Sequence, residues 1–117
     1  MEEYYAEIEK LAGKRRIEQI IIDPSAASMV ATIRKKGRFS IRKAKNDVLD
    51  GIRVTSSFLK NGKILINPKC TGIIKELGEY RWDPKKQHDT VIKENDHASD
   101  ALRYFAYTIL KREWRFE

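Results

Sequence analysis

The sequence predicts an α/β domain in which helices layer on a short sheet. Three observations carry that expectation. Stretches with helical apolar spacing alternate with short β-branched runs, Gly13, Gly37 and Asn61-Gly62 punctuate the alternation, and no repeat, low-complexity tract or linker interrupts it. At 117 residues, 41% of them hydrophobic, residues 1–117 are expected to form one domain with a real core.

Residues 2–12 read as a helix with Tyr5, Ile8, Leu11 and Ala12 on one face and Gly13 as its stop. Gln19 to Ile22 is an uninterrupted apolar run, the pattern of a strand buried on both faces. Ser25 is placed to cap a second helix through Ala26, Met29, Val30 and Ile33, ending near Gly37. Phe39 to Ala44 alternates apolar and basic residues and reads as a second strand with Phe39 and Ile41 inward. Asn46 or Asp47 then caps a helix carrying Val48, Leu49, Ile52, Val54, Phe58 and Leu59. Asn61-Gly62 marks a turn, and Lys63 to Ile66 reads as a third strand closed by Pro68. Another helix carries Ile73, Ile74, Leu77 and Tyr80, and the polar stretch from Trp82 to Glu94 reads as an exposed loop or small hairpin. The last helix, from about Asp96 to Lys111, is expected to bury Ala98, Ala101, Leu102, Phe105, Ala106, Ile109 and Leu110.

A net charge of +7 with 35% charged residues favours polyanionic partners, through phosphate contacts and counterion release. Charge alone does not separate DNA from RNA or from an acidic protein. Cys70 is the single cysteine, so an internal disulfide is excluded and a reducing compartment fits. One thiol and two histidines do not make a standard structural zinc site. No apolar segment is long enough to cross a bilayer, and the acidic N-terminus is unlike a signal peptide, so a cytoplasmic protein without a membrane partner is expected. Neither Gly13-Lys14 nor Gly62-Lys63 has the surroundings of a phosphate-cradling loop, which excludes ATP hydrolysis by that device. No serine or cysteine has a convincing base.

The residues that could carry chemistry are acids at element ends. Asp23 follows the apolar Ile20-Ile21-Ile22, at the strand exit where α/β sheets bind ligands. It has two readings: a ligand that justifies desolvating a carboxylate, or the cap of an Asp-Pro-Ser turn. Asp96 reads as a helix cap. Asp100 lies too far into its helix to cap it and is flanked by Ala101 and Leu102, which makes it the better metal candidate. His97, three residues earlier on the same face, suits a supporting or proton-shuttling role. Hard cations such as Mg²⁺ and Mn²⁺ prefer carboxylate oxygens, so Asp23 with Asp100 suits them better than it suits a histidine-loving metal. Basic residues gather at Arg34, Lys35, Lys36, Arg38, Arg42, Lys43 and Lys45, with Lys85 and Lys86 in the polar stretch. Such a run is either a solvated face or a track for phosphates. His88 and Asp89 have no assignable partner, and Trp82 and Trp114 read as packing or interface residues.

Four segments together resemble the C-terminal nuclease domain of the large terminase subunit of tailed bacteriophages, especially its PBSX-like group. They are Ile20-Ile21-Ile22-Asp23-Pro24-Ser25-Ala26, Asn46-Asp47-Val48-Leu49-Asp50-Gly51-Ile52, Asn67-Pro68-Lys69-Cys70 and Asn95-Asp96-His97-Ala98-Ser99-Asp100-Ala101-Leu102-Arg103-Tyr104. The resemblance implies an RNase H-like mixed sheet flanked by helices. It implies acidic residues that hold Mg²⁺ or Mn²⁺ and cleave concatemeric double-stranded viral DNA during genome packaging. Asp23 matches the family's second acid, Asp100 its last, and His97 a histidine accompanying it. The family's first metal-binding aspartate lies on an opening strand upstream of Met1, so a partial domain lacking its opening β-hairpin is expected, with impaired activity. By the same resemblance the partners are the terminase ATPase domain, the small terminase subunit and the portal, in a bacterial host cell. A sheet short of its first hairpin exposes a strand edge, which gives a homo-oligomer as a further expectation. Two alternatives stay open: a non-catalytic DNA-binding or packaging-machine interaction module from a truncated prophage gene, and another RNase H-like nuclease such as a resolvase or transposase relative. The order of the four motifs speaks against the last.

Overall fold

Two short strands joined by a helix favour a parallel pair, because the crossover returns the second strand in the direction of the first. In the computed structural model, which describes residues 1–79 and 97–113, this is what forms. Strand β1, Ile20–Ile22, pairs in parallel with β2, Ile41–Lys43, in the register Ile20 to Ile41, Ile21 to Arg42 and Ile22 to Lys43. The Ile20 N–H donates to the Ser40 carbonyl at 2.8 Å and the Ala44 N–H to the Ile22 carbonyl at 2.8 Å. Alternation along the strand therefore turns the Ile21 peptide groups to the opposite edge of β1.

The described residues group into two compact units, Met1–Ala44 and the chain from Lys45 onward. In the first, helix α1, Glu2–Ala12, and helix α2, Ala27–Lys36, enclose a core of Tyr5, Ala12, Ile33 and Phe39, with Ile8, Ile20, Ile22, Met29 and Ile41 packed against it. Tyr5 and Phe39 meet edge to face, centroids 6.1 Å apart. Leu11 lies at the margin of the Tyr5–Ile8–Ala12 stripe and is 76% exposed, against expectation. Helix α2 ends where Gly37 turns left-handed at φ 76° and returns its N–H to the Ile33 carbonyl, a conformation open to glycine at little cost. Lys36 and Glu2 form an exposed ion pair at 2.8 Å across α1 and α2. Their hydrogen bond and opposite charges hold the Glu2 carboxyl below, and the Lys36 ammonium above, their ordinary ranges.

The second unit packs α3, Val48–Lys60, and α4, Thr71–Glu79, against α5, His97–Phe105. Helix α5 runs on through a π-helical turn, Ala106–Leu110, into the short α6, Lys111–Glu113. Phe58 and Ala106 are wholly buried at its centre, beside Thr108.

Several expectations need correction. Residues 63–66 do not form a strand: the N–H groups of Lys63 and Ile64 both donate to the Phe58 carbonyl, which ties them to the end of α3 and leaves Leu65 exposed. The described sheet therefore has two parallel strands and no mixed character. Strands expected over 19–22 and 39–44 shorten to Ile20–Ile22 and Ile41–Lys43. Ser25 does not cap α2, whose N-cap is Ala26, and Asp47 stands at the N-cap of α3 without a side-chain bond to it. On α5, Ala101 and Phe105 face outward and the inward face carries Ser99 and Arg103. The expectations for the stretch from Trp82 to Glu94, including Lys85, Lys86, His88 and Asp89, and for Tyr80, Asp96 and Trp114, lie outside the described residues. Among the described residues no helix is long and apolar enough to cross a membrane.

Candidate functional site

Asp23 follows directly on β1, half-buried at the carboxyl end of the strand. Its Oδ1 accepts the Ser25 N–H at 2.9 Å and its main-chain carbonyl accepts the Ala26 N–H at 3.0 Å. The aspartate thus closes the turn into α2, the bond pattern that makes Asp favourable before Pro-Ser. The Ser25 bond takes one of the roughly four lone-pair sites of a carboxylate.

His97 and Asp100 belong to the second unit. His97 opens α5 and is exposed. Asp100, one turn on, is largely covered, its side chain 19% exposed, and its Oδ1 meets Arg103 Nη2 at 3.2 Å. Arg103 is the most constrained side chain of the site, only 3% exposed. Its Nη1 donates to the carbonyls of Asn46 at 2.9 Å and Asp47 at 3.0 Å, the residues that lead into α3. Its guanidinium also stacks on the Tyr104 ring at 4.9 Å. To reach them its aliphatic stem crosses α3 at Gly51, where a Cβ would stand 2.8 Å from Arg103 Cγ and 2.9 Å from Cδ. An arginine here satisfies three acceptors from one fork, which a lysine ammonium does not match in geometry.

The start of α5 is held by a residue the sequence did not single out. Glu76 of α4 accepts the N–H groups of Ala98 and Ser99 at 2.9 and 3.1 Å, so its carboxylate serves as an external cap on the positive end of the helix. The signal for Arg103 was present in sequence, as a cation inside an apolar stripe with an acid at i−3 and a glycine inside a facing helix. Nothing local announces Glu76, whose role depends on how α4 meets α5.

The basic residues divide by what they already touch. Arg38 donates to the Gly13 carbonyl at 2.8 Å and lies 3.4 Å from Glu9, Arg42 donates to Gln19 Oε1 at 3.0 Å, and Lys36 is paired with Glu2. Lys35 and Lys43 are exposed. Among the described residues no group of three or more histidines, cysteines and acids gathers as a metal cluster. The oxygen donors of Asp23 and Asp100 are of the type that hard cations take.

No family model matches the chain. Over 94% of its length it superposes on the large terminase of a thermophilic bacteriophage, solved in complex with ADP, with a TM-score of 0.89 and 42% sequence identity. The chain resembles phage large terminases. A second structure of the same thermophilic phage protein matches 93% of the chain at a TM-score of 0.88 and 43% identity. The large terminase subunit of Escherichia phage T5 is 27% identical over 92% of the chain. The chain spans 29% of the thermophilic phage protein and 26% of the T5 subunit. The geometry that accompanies this likeness is two acids at element ends, Asp23 and Asp100, with a buried guanidinium framework around the second of them.

Proposed function

We propose that the chain is the nuclease-type portion of a phage large terminase, of RNase H-like fold and related to the PBSX-like group, acting on concatemeric double-stranded viral DNA during genome packaging. The observation that carries the reading is the joint likeness in sequence and backbone to the thermophilic phage large terminase, 42% identity at a TM-score of 0.89. Asp23 at the exit of β1 and Asp100 in the opening turns of α5 are the residues that would hold Mg²⁺ or Mn²⁺. When bound, such an ion activates water and stabilises the leaving oxygen of the phosphodiester. Arg103 orients Asp100 and balances its charge, and His97, which is exposed, would exchange a proton with solvent. Lys35, Lys43 and the remaining basic residues would bear on phosphates, with Lys36, Arg38 and Arg42 giving up intramolecular partners to do so. The ATPase domain, the small subunit and the portal are the packaging partners of the reading. The outer edge of β1, where Ile21 turns its peptide groups, is where a further strand or a second copy would pair.

A second reading is favoured by one observation. Each candidate carboxylate already has a structural task, Asp23 closing a turn and Asp100 pairing with Arg103. A DNA-binding or packaging-machine module without catalysis fits that arrangement. Mn²⁺-dependent nicking of supercoiled plasmid, beside Asp100→Asn and Asp23→Asn, separates the two. Nicking abolished in both variants supports the nuclease. Salt-sensitive DNA binding with no cleavage by the parent chain supports the module, and unaltered Mn²⁺ affinity in both variants refutes the metal assignment.

A further inference from the structure

The second unit contains a cavity of about 50 Å³ between α3, α4 and α5, walled by apolar Ile52, Leu59 and Leu77 and by four polar residues, Thr55, Ser56, Ser99 and Arg103. Two of the polar groups are buried without a hydrogen-bond partner among the described residues, Ser99 Oγ and Arg103 Nε. Their residues are 6% and 3% exposed, and they stand at i and i+4 on one face of α5. Buried groups of this kind nearly always find a partner, in protein or in ordered water. We propose that this cavity is a built hydration site, in which ordered water joins Arg103 Nε to Ser99 Oγ and completes the guanidinium framework.

The donor and acceptor balance supports water over an ion. The Arg103 Nε–H can only donate, and the Ser99 hydroxyl donates and accepts. The Thr55 hydroxyl spends its proton on the Gly51 carbonyl at 2.7 Å and keeps lone pairs to accept with. A water molecule that accepts from Nε and donates to Ser99 or Thr55 uses these groups in the sense each allows. An anion has no such balance, because the Arg103 charge is already met by Asp100 and by two carbonyls. A cation would face the guanidinium. The space suffices, since one water needs roughly 10–15 Å³ and two to four polar partners.

The test is direct on the full chain. A crystal structure resolving solvent is expected to show water within hydrogen-bond distance of both Arg103 Nε and Ser99 Oγ. In solution, the Arg103 Nε–H signal is expected to exchange far more slowly than that of exposed Arg53, with a cross-peak to long-lived water. Ser99→Val, which fills the space with methyl groups, is expected to abolish the cross-peak while the Nη contacts to Asp100 persist. A dry cavity, a chloride in it, a protein partner on Nε, or a parent chain without the cross-peak and with fast Nε exchange overturns the proposal. The parent chain alone decides it if the variant fails to fold.

Discussion

Gly51→Ala should destabilise a helix that alanine ordinarily strengthens. Exchanging glycine for alanine inside a helix contributes about 0.5–1 kcal/mol of stability when nothing opposes it. At Gly51 the added methyl would lie 2.8 and 2.9 Å from the Cγ and Cδ of Arg103, closer than carbon atoms approach one another. The obstruction is the middle of a side chain pinned at its far end to Asn46, Asp47 and Asp100. Arg103 cannot step aside without surrendering those bonds, and α3 cannot retreat without opening the packing around Phe58, which is wholly buried. Overpacking of this type costs about 1–3 kcal/mol. Set against the gain in helix propensity, a net loss of up to about 2.5 kcal/mol, centred on roughly 1 kcal/mol, is expected. That corresponds to roughly 4–8 °C in melting temperature for each kcal/mol in domains near this size. Gly78→Ala is the matched control, since a Cβ at Gly78 of α4 meets nothing within 4 Å among the described residues, and it should hold or raise stability. Urea unfolding followed by circular dichroism reads both. A Gly51→Ala chain as stable as its parent would refute the close crossing of Arg103 over α3.

Two further outcomes are expected. Glu76→Ala should cost about 0.5–2 kcal/mol, the range for a lost helix cap, and should speed hydrogen exchange at the Ala98 and Ser99 amides before other α5 amides respond. The Glu2–Lys36 pair should make a small, salt-screened contribution that Glu2→Gln removes. Because the Glu2 carboxyl is held below its ordinary range, its share is present above that range and fades as acid titrates it. Because the Lys36 ammonium is held above its own, its share is present at neutral pH and fades as alkali passes the raised value. Parent and variant melting curves compared across pH, at low and at high salt, check both signs.

Most of the helices could be read from the sequence because their signals are local. The Tyr5, Ile8 and Ala12 spacing fixes α1, and Gly37 fixes the end of α2, without reference to any distant residue. The β1–α2–β2 unit was legible for the same reason. Lys63 to Ile66 misled because a short apolar run after a turn fits a strand and an irregular segment equally well, and here the Phe58 carbonyl takes the backbone donors that a sheet would need. At the candidate site, Asp23 and Asp100 were visible as acids in costly places. Glu76 was not, since its function rests on an inter-helix meeting that no spacing rule encodes. The inward face of α5 was misjudged because apolar residues were assumed to face in, whereas Arg103 and Ser99 do.

The π-helical turn gives the C-terminal helix a change of phase. The Lys111 N–H reaches back five residues to the Ala106 carbonyl, so this turn holds one residue more than its neighbours. Ala106, Tyr107 and Thr108 are all buried in succession, an arc an unbroken α-helix would spread around much of its circumference, and the Thr108 hydroxyl meets the Lys45 N–H at 2.9 Å. Removing one residue between 106 and 110 would therefore let the segment wind as a regular α-helix while the turns on either side keep nearly the same facing. Keeping all five residues but winding them regularly would instead rotate everything after them by up to about 100°, the angle of one residue. The wide turn thus absorbs a residue that would otherwise change which side of the last helix faces its neighbours.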